Sequence, residues 1–411
     1  MEKLIVTGGA RLKGRVQISG SKNACLPILA ASLLTREKCV IRNVPDLLDT
    51  RVMCKILQWL GVDVRHDRRA GVIEVRAENP LGVAPYELVR QMRASVCLLG
   101  PLLARLHACK VSLPGGCVIG NRPIDQHLKG LSRLGAEIRI ENGYVHAHCR
   151  ELVGTDVFMG GRFGSTVTGT ANVLMAAVLA KGTTVIDCAA CEPEIADLAD
   201  FLVKMGARIK GAGSPTIEVE GVEELHGAEH TVIPDRIEAG TFMVAAAITG
   251  GDIEIVGACP NHLGAVRDKL EEAGVIVTRT NGTIRVCGGP KRFPIEITTM
   301  PYPGFPTDMQ AQMCALMAVT PGISVVTEKI YPNRFMHLSE MARLGADVSL
   351  ENNTAIIKGV PRLSGAPLMA SDLRASASLV LAGLVAEGET DIHRIYHIDR
   401  GYEHIDQKLR E

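Results

Sequence analysis

Leu60-Gly61-Val62-Asp63-Val64 ends one kind of sequence and begins another: the amphipathic CKILQWL runs into it and an alternating stretch runs out. The same figure returns as Leu134-Gly135-Ala136-Glu137-Ile138, Met205-Gly206-Ala207-Arg208-Ile209, Ala273-Gly274-Val275-Ile276-Val277 and Leu344-Gly345-Ala346-Asp347-Val348. Its glycines lie 74, 71, 68 and 71 residues apart. An apolar stripe at helical spacing, then glycine, then alternation reads as helix, left-handed cap and strand. A fixed period of this length is the mark of a repeated supersecondary unit.

A second element keeps the period. SKNACLPILAASLL, MRASVCLLGPLLARL, GSTVTGTANVLMAAVLA, RIEAGTFMVAAAIT, PTDMQAQMCALMAVT and DLRASASLVLAGLVA are nearly all-apolar helices with a polar first turn. A helix apolar on every face must be buried on every face, whereas the helices before the repeated glycines keep a polar side and belong outside. The unit is therefore about 70 residues of strands, one buried helix and one outer helix, repeated six times. Three units per domain give two domains, the first over residues 22–232 and the second over 1–21 with 233–411, each of ordinary domain size. The chain ends at KLRE, where a sixth copy would begin its cap, so the sixth repeat is expected to lack its last strand.

Lys plus Arg and Asp plus Glu number 45 each, so there is no broad positive field of the sort that non-specific nucleic-acid or anionic-membrane binding needs. The N-terminal MEKLIVTGGARLKG has no apolar stretch of signal-peptide length and no apolar run is long enough to span a membrane, which leads to the expectation of a cytoplasmic protein. Twelve cysteines scattered through apolar segments read mostly as small buried hydrophobes. Cys188-Ala-Ala-Cys191 lacks a second CxxC, and His146-Ala-His148-Cys149 splits its ligands between two faces of a strand, so no metal site is expected at either.

Polar residues collect where the buried helices begin: Lys22 and Asn23, Arg93, Asp235 and Arg236, Asp308, Asp372 and Arg374. Free N–H groups and the helix dipole favour anions there, and added Lys and Arg make a strong site for a phosphorylated ligand. N-caps at Ser21, Thr307 and Ser371 would account for the neighbouring acids, but the dipole disfavours Lys22, Arg93 and Arg374. A second concentration of signal is the loop Leu113-Pro-Gly-Gly-Cys117-Val-Ile-Gly-Asn-Arg122-Pro123-Ile124-Asp125. Glycine and proline let it change shape, and an arginine or bound phosphate nearby would lower the Cys117 thiol pKa; the other reading is a packing cysteine. GxxxxGK[ST], GxGxxG after a strand, GxSxG and HExxH are all absent, which removes the usual support for kinase, dehydrogenase, serine-hydrolase and zinc-protease readings.

GSKN, MRAS, LPGGC-x-IG-x-RP-x-D, EPEI, PDRIE-x-GTF, FPTDMQAQ, NRFMH, DLRASASLVLAG and RIYHIDRGYE follow one another along nearly the whole chain. In that order they resemble the UDP-N-acetylglucosamine 1-carboxyvinyltransferases of the enolpyruvyl transferase family. The resemblance implies an α/β fold, a two-domain inside-out α/β barrel of six βαβαββ-type repeats, three per domain, with the active site in the cleft. It implies transfer of the enolpyruvyl group of phosphoenolpyruvate to the 3-hydroxyl of UDP-N-acetylglucosamine with release of phosphate. That is the first step of peptidoglycan precursor synthesis, hence of cell-wall biogenesis, cell shape and division.

By the same resemblance Lys22, Arg122 and Arg400 hold the phosphoenolpyruvate phosphate, with Arg334 and Arg374 completing the positive pocket. Asn23 and Asp308 hold the attacking hydroxyl, and Asp372 sits with them. Arg93, the run Arg122-Pro123-Ile124-Asp125-Gln126, Phe163, Gly164, Glu192 and Ile330 line the nucleotide side. Cys117 matches the loop cysteine that acts as proton donor and is alkylated by fosfomycin. The implied partners are the two small-molecule substrates, without cofactor, metal, nucleic acid or membrane.

Two departures stand out. Leu48 occupies a place where the family usually has lysine, and Arg51 either reaches in as a substitute or is a surface arginine. Met159-Gly-Gly-Arg162-Phe163-Gly164-Ser-Thr166 differs from the family's usual run at the nucleotide. The alternatives left open are a different nucleotide or sugar acceptor and a catalytically silent UDP-sugar-binding paralogue. The shikimate-pathway synthase shares the fold, but the PGGC loop and RPID argue against it.

Overall fold

In the computed structural model, which describes residues 2–114, 124–280 and 282–410, the five repeat glycines all take the left-handed φ that a cap demands. The angles are 79° at Gly61, 100° at Gly135, 105° at Gly206, 86° at Gly274 and 89° at Gly345. Before them lie the outer helices Leu48–Trp59, Asp125–Arg133, Pro193–Lys204, Gly264–Glu272 and Met336–Arg343. After them come the strands Asp63–Asp67, Glu137–Glu141, Arg208–Lys210, Ile276–Thr280 and Asp347–Glu351.

The chain divides into two compact units, residues 20–114 with 124–233 and residues 2–19 with 234–410. In the first, three four-stranded sheets share one plan: a short parallel strand, a central strand, its antiparallel neighbour and an outer strand. Asp156–Phe158, Thr183–Asp187, Thr216–Glu220 and Arg208–Lys210 are one such set. Glu229–Thr231, at the end of the unit, runs parallel to Lys38–Arg42 near its start and so ties its two ends together.

The second unit repeats the plan in two four-stranded sheets, and Lys13–Gln17 supplies the parallel strand beside Asp252–Val256. Its third sheet has three strands: Pro367–Met369 parallel and Lys3–Thr7 antiparallel to the central Glu389–His393. Among the described residues the third sheet has no outer strand, and Lys3–Thr7 fills the antiparallel position. The central strand has a neighbour on each side, so its backbone groups are paired.

Helices Lys22–Ala31, Leu99–Leu106 and Val167–Ala177 lie inside the first unit; Arg236–Thr249, Gln310–Ala318 and Leu373–Gly383 lie inside the second. Each set belongs to its own apolar core. Every residue of Gln310–Ala318 is buried, which is what an all-round apolar helix requires. One polar exception is well paired: fully buried Asn172 accepts from the Gly100 N–H at 2.8 Å and donates to the Val96 carbonyl at 2.8 Å. A Cβ on Gly100 would stand 2.3 Å from the Asn172 carbonyl oxygen, so the helices approach closely only because glycine is there. Among the described residues no helix is long and apolar enough to cross a membrane.

Candidate functional site

In the unit formed by residues 2–19 and 234–410, the acids and arginines expected from the sequence meet at the starts of the buried helices. Asp308 sits in the 3-10 turn Thr307–Met309 that leads into Gln310–Ala318. Arg334 Nη1 donates to its Oδ1 at 2.7 Å and Arg374 Nη2 to its Oδ2 at 3.3 Å. Both guanidinium groups are almost wholly buried, whereas the Asp308 side chain is 26% exposed. The carboxylate is therefore the accessible face of a cluster whose cations lie behind it.

Burial opposes the charge on Arg334, but Asp308 and Asp372 reverse the effect and its pKa is raised. For Arg374 burial is likewise overcome, by Tyr402, Asp308 and Asp235, and the pKa rises. Both arginines stay charged and paired with Asp308.

Asp372 caps Leu373–Gly383, accepting from the Arg374 N–H at 2.8 Å and the Ala375 N–H at 3.2 Å. Asp235 caps Arg236–Thr249 in the same way. The cap expected at Ser371 has thus passed to the longer-reaching acid beside it. Thr307 does not cap its helix either, because its hydroxyl donates to Glu328 Oε2 at 2.8 Å.

Fully buried Glu328 had no signal in the sequence beyond its place before Ile330, yet it organises this loop. Its Oε1 accepts from the Thr299 hydroxyl at 2.7 Å, the Ile330 N–H at 2.7 Å and the Tyr331 N–H at 2.9 Å. Ile330 joins the site through this carboxylate, and Arg334 follows it along the same loop. Arg400 is half-buried near His397, whose pKa burial and Arg400 both lower.

The other unit carries cations at its helix starts. Lys22 opens Lys22–Ala31 after the N-cap Ser21, and its Nζ lies 3.4 Å from Asp49 Oδ2, both side chains being buried. Asp49 offsets the clash between a lysine and the positive end of a helix. Asn23 is half-buried beside it, and half-buried Arg93 opens the 3-10 turn Arg93–Leu98. Buried Glu192 precedes Pro193–Lys204.

Ile124 is buried at the start of Asp125–Arg133, where Asp125 is exposed and Gln126 half-buried. The hairpin Gly160–Gly161 with Gly164–Ser165 brings its tip to this point, since a Cβ on Gly161 would lie 3.7 Å from Gln126 Nε2. Gly164 takes φ 97°, and exposed Phe163 lies under the Arg162 guanidinium at 5.3 Å. Gly161 is thereby placed beside Gln126, with Gly164 as its partner in the hairpin. Cys117, Arg122 and Pro123 lie outside the described residues.

Leu48 begins the outer helix Leu48–Trp59 and is 39% exposed. Arg51 does not take over from the family's lysine: its Nε and Nη2 hold both oxygens of Asp46 at 2.7 and 2.9 Å. The surface reading of Arg51 is the one realised.

The EPSP synthase (3-phosphoshikimate 1-carboxyvinyltransferase) family model matches residues 6–409. A UDP-N-acetylglucosamine 1-carboxyvinyltransferase of Methylacidiphilum infernorum is 57% identical over 410 residues, covering 100% of this chain and 97% of its own. The enzyme of that name from Akkermansia muciniphila is also 57% identical, covering 100% of this chain and 96% of its own. Among solved structures, the enolpyruvyl transferase NikO from Streptomyces tendae superposes with a TM-score of 0.90 at 26% identity, covering 99% of this chain and 96% of its own. EPSP synthase from Acinetobacter baumannii shares the fold at a TM-score of 0.75 and 19% identity, covering 100% and 98%. With a family model spanning the chain and relatives more than half identical from end to end, this protein belongs to the EPSP synthase family of enolpyruvyl transferases, alongside the UDP-N-acetylglucosamine 1-carboxyvinyltransferases.

Proposed function

We propose that the chain transfers the enolpyruvyl group of phosphoenolpyruvate to the 3-hydroxyl of UDP-N-acetylglucosamine and releases phosphate, the first step of peptidoglycan precursor synthesis in the cytoplasm. The observation that carries the reading is the accessible Asp308 carboxylate backed by two buried arginines. That arrangement suits a reaction in which a hydroxyl must lose a proton close to a phosphorylated carbon.

Phosphoenolpyruvate is electron-rich at C3. Cys117 delivers a proton there, C2 becomes oxocarbenium-like, and the sugar hydroxyl adds to C2 while its proton passes to Asp308. The tetrahedral ketal then loses a C3 proton and phosphate, which regenerates the double bond as an enol ether. Lys22, Arg122 and Arg400 hold the departing phosphate, with Arg334 and Arg374 adding positive charge. As the phosphate draws guanidinium charge toward itself, the grip of Arg334 and Arg374 on Asp308 weakens and the carboxylate becomes a better base. Asn23 orients the hydroxyl. Arg93, Pro123, Ile124, Asp125, Gln126, Phe163, Gly164, Glu192 and Ile330 face the nucleotide.

The test is phosphate release from phosphoenolpyruvate with and without UDP-N-acetylglucosamine, in the native chain, in Cys117→Ser and after fosfomycin treatment. Release that depends on the sugar nucleotide and falls with either Cys117 treatment supports the reading. Release with another nucleotide sugar alone would point to a different acceptor, for which the Arg162-Phe163 hairpin tip is the place to look. Binding of the sugar nucleotide without phosphate release would indicate a silent paralogue.

A further inference from the structure

Tyr402 lies beyond the residues assigned a role above, and only 2% of it is exposed. Its hydroxyl oxygen is 2.9 Å from Thr241 Oγ1 and 3.2 Å from Gln312 Nε2, so it joins the buried helices Arg236–Thr249 and Gln310–Ala318. Its ring lies 5.2 Å from the Arg374 guanidinium, on the third buried helix of that unit.

The direction of each hydrogen bond can be worked out from the groups at the ends. Thr241 spends its one proton on the Ile237 carbonyl at 2.8 Å, so towards Tyr402 it can only accept. Tyr402 therefore donates to Thr241. The Gln312 atom facing the Asp308 carbonyl oxygen at 2.9 Å must be its NH₂, because a carbonyl cannot donate. The second proton of that NH₂ turns toward Tyr402 and Thr241, at 3.2 and 3.1 Å. Burial raises the Tyr402 pKa, which keeps the phenol protonated for its donor role. The chain of donors thus runs from Gln312 to Tyr402 to Thr241 to the Ile237 carbonyl, with Gln312 also fastened to the backbone of Asp308.

We propose that Tyr402 is the positioning residue for Asp308, fixing its backbone through Gln312 and its carboxylate through the stacked Arg374. The inference rests on the role of Asp308 in proton removal proposed above. Tyr402 is buried and is proposed to act through Asp308 rather than by contact with substrate. Its effect comes from two links to one residue, one to the Asp308 backbone and one to its carboxylate, and such aim matters because a displacement of about 1 Å at a reacting group can cost about 100-fold in rate.

Tyr402→Phe keeps the ring over Arg374 and deletes the hydroxyl. It is expected to lower kcat about 10-fold or more while leaving the KM for both substrates within about twofold. Gln312→Met cuts the same link from the other side and should give a similar loss that does not multiply with that of Tyr402→Phe. Melting temperatures of both variants establish that each is folded under assay conditions. In an Asp308→Ala background, Tyr402→Phe should cost nothing further in residual rate. Full kcat in both folded Tyr402→Phe and folded Gln312→Met, with Asp308→Ala crippled, overturns the positioning role and spares the reading of Asp308. Losses that multiply in the Asp308→Ala background also overturn it. Full activity in Asp308→Ala removes the reading of Asp308, and the positioning role falls with it.

Discussion

Two buried groups in the unit of residues 2–19 and 234–410 should give its stability opposite responses to pH. His337 is 1% exposed, and burial first, with Arg334 adding to it against Asp372, lowers its pKa from 6.5 to about 4. A depressed histidine contributes stability that is present above pH 6.5 and lost as the pH falls toward 4, because the unfolded chain takes up a proton the native state refuses. Between pH 7.5 and 5 this amounts to about 2 kcal/mol, at ~1.4 kcal/mol per pH unit.

Glu238 behaves in the opposite sense. Burial raises its pKa from 4.5 to about 7, although Lys408 and the Ser19 N–H pull it down, with Nζ at 2.6 Å from Oε1 and the amide at 2.7 Å from Oε2. Its contribution is full below pH 4.5 and disappears as the pH climbs through 7, again about 2 kcal/mol over the same interval. In the native chain the two nearly cancel. In urea unfolding at pH 7.5 and 5, His337→Gln should therefore gain about 2 kcal/mol on acidification and Glu238→Gln should lose about as much. Because only the difference between the two pH values is read, a constant loss from cutting the Lys408 pair does not matter. Two variants that both keep the native pH dependence would refute the reasoning.

Other consequences concern the unit of residues 20–114 and 124–233. Arg105 donates to four carbonyls, those of Leu33 and Thr35 at 2.6 and 2.7 Å and those of Ala77 and Glu78 at 2.5 and 2.8 Å. Arg105→Met is expected to cost about 3 kcal/mol, seen as a lower urea midpoint, and an unchanged midpoint would show that water replaces the guanidinium at no cost. Asp49→Ala should destabilise by about 3 kcal/mol by leaving the buried Lys22 ammonium short of its counter-charge. The loss should shrink in a Lys22→Met background, and an equal loss there would show that Asp49 acts through something else.

The fold was legible because its unit is local and repeated. Each glycine after an outer helix demands positive φ, and that demand is visible at Gly61, Gly135, Gly206, Gly274 and Gly345 without any tertiary information. The all-apolar helices could be sent to the interior on periodicity alone. The use of Lys3–Thr7 and Lys13–Gln17 could not be read, because their partners Glu389–His393 and Asp252–Val256 are hundreds of residues away and nothing in a short strand names its neighbour.

The site was legible in residue type and less so in geometry. Lys22, Arg93 and Arg374 stood out because they sit where a helix dipole disfavours them, so only a charged partner or ligand accounts for their place. Glu328 and Tyr402 gave no comparable signal, since a lone buried acid or phenol in a loop has no periodic context to violate.

The starts of the buried helices are also where the two units, built on one plan, cease to resemble each other. Lys22 and Arg93 open helices in one, while Asp235, Asp308 and Asp372 stand at the corresponding starts in the other. Inside the helices most positions are buried and apolar, with a few buried polar residues such as Asn172, Thr241 and Gln312, so the repeats stay broadly alike there. At the first turn the free N–H groups accept an acid cap or tolerate a cation that has been given a counter-charge, so the fold permits either sign. The charge of each start is therefore free to follow function: under the function proposed above, acids stand where a proton is taken and arginines are held, and cations where a phosphate is bound.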